Sequence, residues 1–366
     1  MKTLTVTFHH TTNYGASLQT YALQHTIQSM GHENVVLETN PLKKQVKPKM
    51  TLMQCVRELY IRWLCLIRKK QLISLNQSFK EFHQNHLKLT RPYRTMEDLR
   101  SDEELKKIDC LITGSDQVWN LKTIPSFAPA RLLDFGPDNC IRFSYAASIG
   151  ERTGNYTDDQ KEVITSSLKH YKGISIREET ARQYIESFTG YHCERVIDPV
   201  FLLDKEEWMK IAQKPRLNGP YILCYQVLSN TRMAEVAKYL KKKTGMPIVS
   251  ICNSSIRWIK SDYSFHDVSI EEFLGFYNEA AYIVSTSFHG VAMGIVFGKP
   301  VFALVKKGSA NRIENVMKVL GMEKHVVSQE NNEPIIEYTD EELIAIDKIR
   351  SSERQNGLDF LNRMFL

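Results

Sequence analysis

The sequence predicts an α/β protein built from two similar, doubly wound halves that face each other across a cleft. Short apolar runs alternate with segments of helical spacing in both halves of the chain. That alternation breaks near residues 203 to 219 and starts afresh at Tyr221. At 366 residues the chain is long for one domain and sufficient for two of ordinary size.

The composition is that of an ordinary globular protein, with 42% hydrophobic and 25% charged residues, which excludes a disordered or fibrous chain. Seven scattered cysteines, odd in number and without a C-x-x-C pair, point to free thiols in a reducing compartment. The first apolar run stops at Phe8 and gives way to HHTTNYG, so no signal peptide is expected. No stretch reaches the roughly 18 apolar residues that a spanning helix requires. The expected location is therefore cytoplasmic. His9 and His10 are adjacent, not at i, i+4, and have no obvious carboxylate company, so no metal is expected.

Taken in order, Leu4 to Phe8 alternates as a strand, and Leu18, Tyr21, Ala22, Leu23 and Ile27 recur at helical spacing up to Gly31. Val35 to Leu37 then opens a second strand. This is a βαβ opening whose loop, Asn13-Tyr14-Gly15, lies where α/β proteins bind ligands, although Asn and Gly also serve a plain turn. From Lys43 to Lys70 nine cations face one acid, Glu58, with Trp63 and aliphatic residues between them. Two readings fit: a basic helix in an anionic membrane surface, with Arg57, Arg62, Trp63, Arg68, Lys69 and Lys70 at the interface, or a helix packed on the domain with a solvated basic rim. Nucleic acid is disfavoured, because no second basic patch or stacking aromatics accompany it.

Leu111 to Thr113 reads as a buried strand running into GSDQVWN, where a hydroxyl and a carboxylate, Ser115 and Asp116, share one loop. Phe143 to Ser148 is another strand, Asp158 to Leu168 a polar helix, and Ile174 to Ile176 a strand with Arg177 at its end. A cation there suits an anionic ligand; pairing with Glu178 or Glu179 is the alternative. Val196-Ile197 reads as a last strand before Asp198-Pro199. In the second half, strand YILCYQ, helix Thr231 to Lys243, strand Pro247 to Cys252 and helix Ser269 to Ala280 follow. Ser269 and Glu272 have capping-box spacing. Then comes AYIVSTSFHGVAMGIVFGKPVFAL, a compressed strand, loop, helix from about Gly290 to Phe297, and strand. His289 stands where the loop hands over to the helix N-terminus, which favours anions.

Six motifs in order, NYGASLQTYALQ (13 to 24), ITGSDQVWN (112 to 120), SYAASIG (144 to 150), ISIRE (174 to 178), VIDPVFLL (196 to 203) and VSTSFHGVAMGIVFGKPVFAL (284 to 304), resemble the polysaccharide pyruvyl transferase family. The resemblance implies two Rossmann-like domains in a GT-B-like arrangement. The expected division is 1–203 on the acceptor side, with a basic insertion at about 43–72, then 204–340 carrying His289, then a C-terminal helix at 341–366. It implies a reaction in which phosphoenolpyruvate gives a pyruvate ketal to two sugar hydroxyls in cell-surface or exopolysaccharide synthesis, with no cofactor beyond that donor. Arg177 and His289 match the family's phosphoenolpyruvate-handling positions. On this reading His289 is the general acid, Arg177 the anion clamp and Asp116 the base. The donor would meet Arg177, Ser287, Phe288, His289, Gly290, Lys307 and Arg312, and the acceptor Asn13, Tyr14, Gly15, Ser115, Trp119 and Asn120. The acceptors implied are undecaprenyl-diphosphate-linked sugars at the inner membrane leaflet.

Two departures are visible. Many relatives carry arginine two residues before the histidine, where this chain has Ser287, and some carry an acid where it has Ala16. A GT-B glycosyltransferase using a nucleotide sugar and a non-catalytic sugar- or phosphate-binding protein are the alternatives.

Overall fold

The computed structural model describes residues 1–40, 65–150, 156–227, 230–252, 259–305, 311–328 and 337–366. The first half opens with β1 (Lys2–Val6), α1 (Tyr14–Ser29) and β2 (Glu33–Val36), followed by α2 (Lys69–His86), α3 (Met96–Arg100) and β3 (Cys110–Thr113). After α4 (Ala128–Arg131) and β4 (Ile141–Ser144) come α5 (Asp158–Leu168), β5 (Ser175–Ile176), α6 (Glu179–Thr189), β6 (Glu194–Arg195) and α7 (Lys205–Met209). The second half holds β7 (Ile222–Tyr225), α8 (Arg232–Thr244), β8 (Ile248–Ile251), β9 (Tyr263–Phe265), α9 (Ile270–Glu279), β10 (Tyr282–Ser285), α10 (Phe288–Val296), β11 (Val301–Val305), α11 (Asn311–Val319), β12 (Val326–Ser328) and α12 (Asp340–Phe365).

Each half is a parallel sheet whose strand order reverses at one point. In the first, the order is β2-β1-β3-β4, and single bridges from Phe143 to Gly173 and from Ala147 to Ile176 carry it on to the β5–β6 pair. In the second, β9-β8-β7-β10-β11-β12 is the Rossmann order. The switch points lie between β1 and β3 and between β7 and β10, where the crevice beyond the strand ends is the ligand position of such sheets. The expected α/β fold with two doubly wound halves is what the chain adopts.

One apolar core joins the halves. Tyr14, Leu18 and Tyr21 of α1 and Leu75, Phe79 and Phe82 of α2 pack with Phe201, Trp208, Phe273, Tyr277 and Val291. Tyr14 lies on Phe273 at 4.2 Å between ring centroids, and its hydroxyl donates to the Val268 carbonyl. The last helix returns to the first half, where Phe360, Leu361, Met364 and Phe365 cover Phe143, Tyr145 and Ile112.

Candidate active site

β10 ends at Ser285, whose hydroxyl donates to the Tyr225 carbonyl of β7 at 2.8 Å and accepts from the Ser287 N–H at 3.1 Å. The Ser287 hydroxyl then caps α10 by accepting from Gly290 N–H at 3.3 Å. The helix therefore starts at Phe288, two residues earlier than the sequence suggested. Gly290 is required for close packing: a Cβ there would lie 2.3 Å from Ser285 Oγ and 2.7 Å from the Tyr225 ring. His289 falls in the first turn of α10 and turns into the interface between the halves. Its Nδ1 faces Gly15 so closely that a Cβ on Gly15 would stand 2.0 Å away. Its Nε2 is 3.8 Å from Asp198 Oδ2 and has no hydrogen-bond partner among the described residues.

Asp198 is the hub, and the sequence reading assigned it no role. It is fully buried in front of Pro199 and accepts from Arg177 Nη1 at 2.5 Å, Ser115 Oγ at 2.8 Å and the Val200 N–H at 3.1 Å. Arg177, 3% exposed, also donates from Nε to Glu178 Oε1 at 2.9 Å, and its guanidinium lies 4.3 Å from the centre of the Phe288 ring. Both readings of Arg177 therefore hold in part, since it pairs with Glu178 and yet its Nη2 has no partner among the described residues. Burial lowers the His289 pKa below its ordinary 6.5, against the opposing pull of Asp198 and Asp116, so the imidazole is neutral near pH 7. Burial pushes the Asp198 carboxyl up, but the Arg177 and His289 charges and the bonds it accepts outweigh it and hold the pKa below 3.8. Arg177 stays charged because its carboxylate neighbours overcome the cost of burial.

Asp116 sits at φ 68°, a left-handed conformation that asparagine and aspartate tolerate better than most residues. Ala146, whose peptide group precedes the bridge from Ala147 to Asp116, has φ 51°. Strained backbone of this kind costs roughly 1–3 kcal/mol each and gathers at functional sites. Asp116 Oδ1 stands 3.9 Å from Arg312 Nη1 on α11, so the base and cation foreseen from sequence face each other. A further tie crosses the interface: Asn315 of α11 donates to the Arg177 carbonyl at 3.4 Å and accepts from the Glu179 N–H at 3.2 Å. Arg177, Arg312, Asp198, Glu178 and Asp116 thus give two cations against three carboxylates among the described residues.

A family model described as polysaccharide pyruvyl transferase matches residues 13–305, which takes in α1, the β7–β10 switch point and His289. The chain belongs to the polysaccharide pyruvyl transferase family. No curated protein matches it in sequence. Among solved structures, a UDP-GlcNAc 2-epimerase from Neisseria meningitidis bound to UDP-GlcNAc is similar at 14% identity and TM-score 0.53, over 100% of this chain and 99% of that one. The trehalose-6-phosphate phosphatase N-terminal domain from Candida albicans is similar at 8% identity and TM-score 0.51, over 100% and 98%. These likenesses concern the fold, which is of the GT-B type.

Within this pyruvyl transferase-family fold, several expected contacts lie elsewhere. Trp119 is fully buried among Val118, Leu132, Ile149 and Ile176, so its indole is core and offers no face to an acceptor. Tyr14, 1% exposed, is likewise part of the shared core. Ser115 is committed to Asp198, Asn13 caps α1 by accepting from Gly15 N–H at 3.0 Å, and Asn120 reaches Gln117 at 3.4 Å. Lys307, Arg57, Arg62 and Trp63 fall outside the described residues. Arg68 contacts His266 at 3.2 Å, and Lys69 and Lys70 are exposed. The expectation that His9 and His10 lack a carboxylate is wrong. Glu38, just past β2, stands 2.7 Å from His9 Nε2 and 3.3 Å from His10 Nδ1, because the parallel β1–β2 pairing brings the two strand ends together.

Proposed function

We propose that this member of the family transfers the pyruvate unit of phosphoenolpyruvate to two hydroxyls of a sugar in a cell-surface polysaccharide precursor. The observation that carries the reading is the buried Asp198–Arg177 pair beside His289 at the N-terminus of α10, at the junction of both switch points. Proton transfer to C3 of the donor makes C2 electrophilic. One sugar hydroxyl attacks C2, the bond from C2 to the phosphate oxygen breaks, and the second hydroxyl closes the ketal. The two hydroxyls lose two protons; one replaces the proton given to C3, and the other leaves on phosphate.

His289 is assigned the proton given to C3. It is neutral in the free protein, so its proton is drawn in with the donor, whose negative charges raise the imidazole pKa. Arg177 Nη2 is assigned to the donor carboxylate, and the α10 N-terminus with Arg312 to phosphate. Ser287 has no charge to add, and the excess of carboxylates among the described groups leaves further cations to come from Lys306 or Lys307. Asp116 is assigned as the base toward the acceptor.

A lipid-linked acceptor accords with the exposed surface around Leu66, Ile67, Lys69, Lys70 and Ile73, where apolar and cationic side chains mix. No helix among the described residues is long and apolar enough to cross a membrane, so contact there would be peripheral. Thermal unfolding in the presence of candidate donors tests the reading. Phosphoenolpyruvate should raise the melting temperature, and UDP- and GDP-sugars should not. The reverse pattern would assign the fold to nucleotide-sugar chemistry.

A further inference from the structure

Next to the cleft, and separate from the donor site, two histidines and a glutamate converge. His9 and His10 lie on the loop after β1, and Glu38 follows β2, so all three stand at the strand ends that bind ligands in this sheet type. One donor atom from each lies within 4.8 Å of the others. His9 is fully enclosed, with Nε2 at 2.7 Å from Glu38 Oε2. His10 presents Nδ1 at 3.3 Å from Glu38 Oε1, and its Nε2 meets the Thr39 hydroxyl at 2.9 Å. The imidazole of His83 stands edge-on to His9 at 5.8 Å, held at Nε2 by Ser17 Oγ at 2.8 Å.

We infer that His9 Nε2, His10 Nδ1 and the Glu38 carboxylate form a site for a divalent transition-metal ion of the zinc class. Two imidazoles and one carboxylate are the ligand chemistry such ions take, with a fourth position left to water. Metal–ligand bonds of about 2.0–2.1 Å place tetrahedral ligands roughly 3.3 Å apart. The three ligand atoms, one from each residue and within 4.8 Å of one another, draw together by up to about 1.5 Å to reach that spacing around an ion. Thr39 fixes which nitrogen of His10 is free: its hydroxyl holds Nε2 and leaves Nδ1 turned to the carboxylate, the outer-shell arrangement that orients ligating histidines. Both histidines come from consecutive residues of an irregular loop. Helical i, i+4 spacing is not needed there, and a motif search keyed to it passes over them. An ion here would anchor the loop that leads into α1, whose Gly15 faces His289. The inference stands independently of the donor assigned above.

The test uses the full-length chain, stripped with a chelator and titrated with Co²⁺ followed in the visible spectrum, and with Zn²⁺ by calorimetry. One ion per chain should bind, with the ligand-field absorption of a tetrahedral N/O site. Glu38→Gln keeps the shape of the carboxylate and should weaken binding about ten-fold or more, as should His10→Ala, with far-UV circular dichroism unchanged. Either no saturable binding by the wild type or an affinity untouched by both substitutions would overturn the inference, leaving a plain hydrogen-bonded network. A near-ultraviolet thiolate-to-cobalt band would also overturn it by assigning the ion to cysteines.

Discussion

On the proposed reading His289 meets the donor as a neutral imidazole, although a general acid must carry a proton. Two apparent pKa values follow, one for the free protein and one for the complex. The value of kcat/KM for phosphoenolpyruvate should fall as pH rises, with its break below 6.5, because burial lowers the free-protein pKa. The break in kcat should lie at higher pH, since bound anions raise it. Rates that climb with pH through both breaks would make His289 a base. Stability runs the opposite way and rises with pH. His289 and Asp198 both have folded pKa values below their unfolded ones, so the stability they contribute is complete above 6.5 and 3.8 respectively and is lost as pH falls through each folded value.

Gly15 offers a second residue-scale test. Glycine to alanine in a helix ordinarily stabilises by roughly 0.5–1 kcal/mol, but here the new Cβ would meet His289 Nδ1 at 2.0 Å. Gly15→Ala should lower the calorimetric melting temperature and suppress turnover; a more stable, active variant would remove His289 from that position. Asp198→Asn takes one of two carboxylate partners from the buried, charged Arg177 and leaves it Glu178 alone. Urea unfolding should register a loss of about 3–5 kcal/mol, the usual effect of breaking a buried ion pair. His289 and Arg177 were legible in sequence because each stands beside a strand-to-helix junction. Asp198 was not, because its significance comes from contacts 21 and 83 residues away. Trp119 misled for the converse reason: a tryptophan beside a Gly-Ser-Asp loop looks available until the β4–β5 region covers it.

At the scale of elements, hydrophobic spacing located most helices to within a residue or two. The polar helix Asp158–Leu168 keeps the bounds read from sequence, and the structure adds a capping box of Thr157 and Gln160 at its start that the sequence reading did not use. The Ser269 cap forms as its spacing suggested, but Glu272 does not return to it; its carboxylate is taken by Arg216 at 2.8 Å. The strand expected at Val196-Ile197 pairs instead at Glu194–Arg195, since Asp198 and Pro199 already turn the chain into a short 3-10 helix. α2 runs on from the basic segment as far as His86, and its buried Leu75, Phe79 and Phe82 keep helical spacing where the run of cations has ended. Its exposed start carries the membrane proposal. Reversing charge at Lys69 and Lys70, together with Ile73→Glu, should release the protein from anionic liposomes in a sedimentation assay while turnover of a soluble acceptor persists. Unchanged sedimentation would return this surface to a solvated rim.

For the whole molecule, the strand orders were not readable from sequence, because pairing between distant strands leaves no mark in local spacing. They decide the site nonetheless. Two parallel sheets, each reversing once, aim the β1, β3, β7 and β10 loops at a common interface, and helices α1 and α10 bring Gly15 against His289 there. The most direct measurement incubates the protein with phosphoenolpyruvate and a lipid-linked oligosaccharide, following phosphate release and the mass of the acceptor. Wild type should release phosphate and add one pyruvate ketal, and folded His289→Ala should do neither. Ketal formation by His289→Ala at the wild-type rate, or none by wild type with consumption of a UDP- or GDP-sugar in its place, would contradict the account.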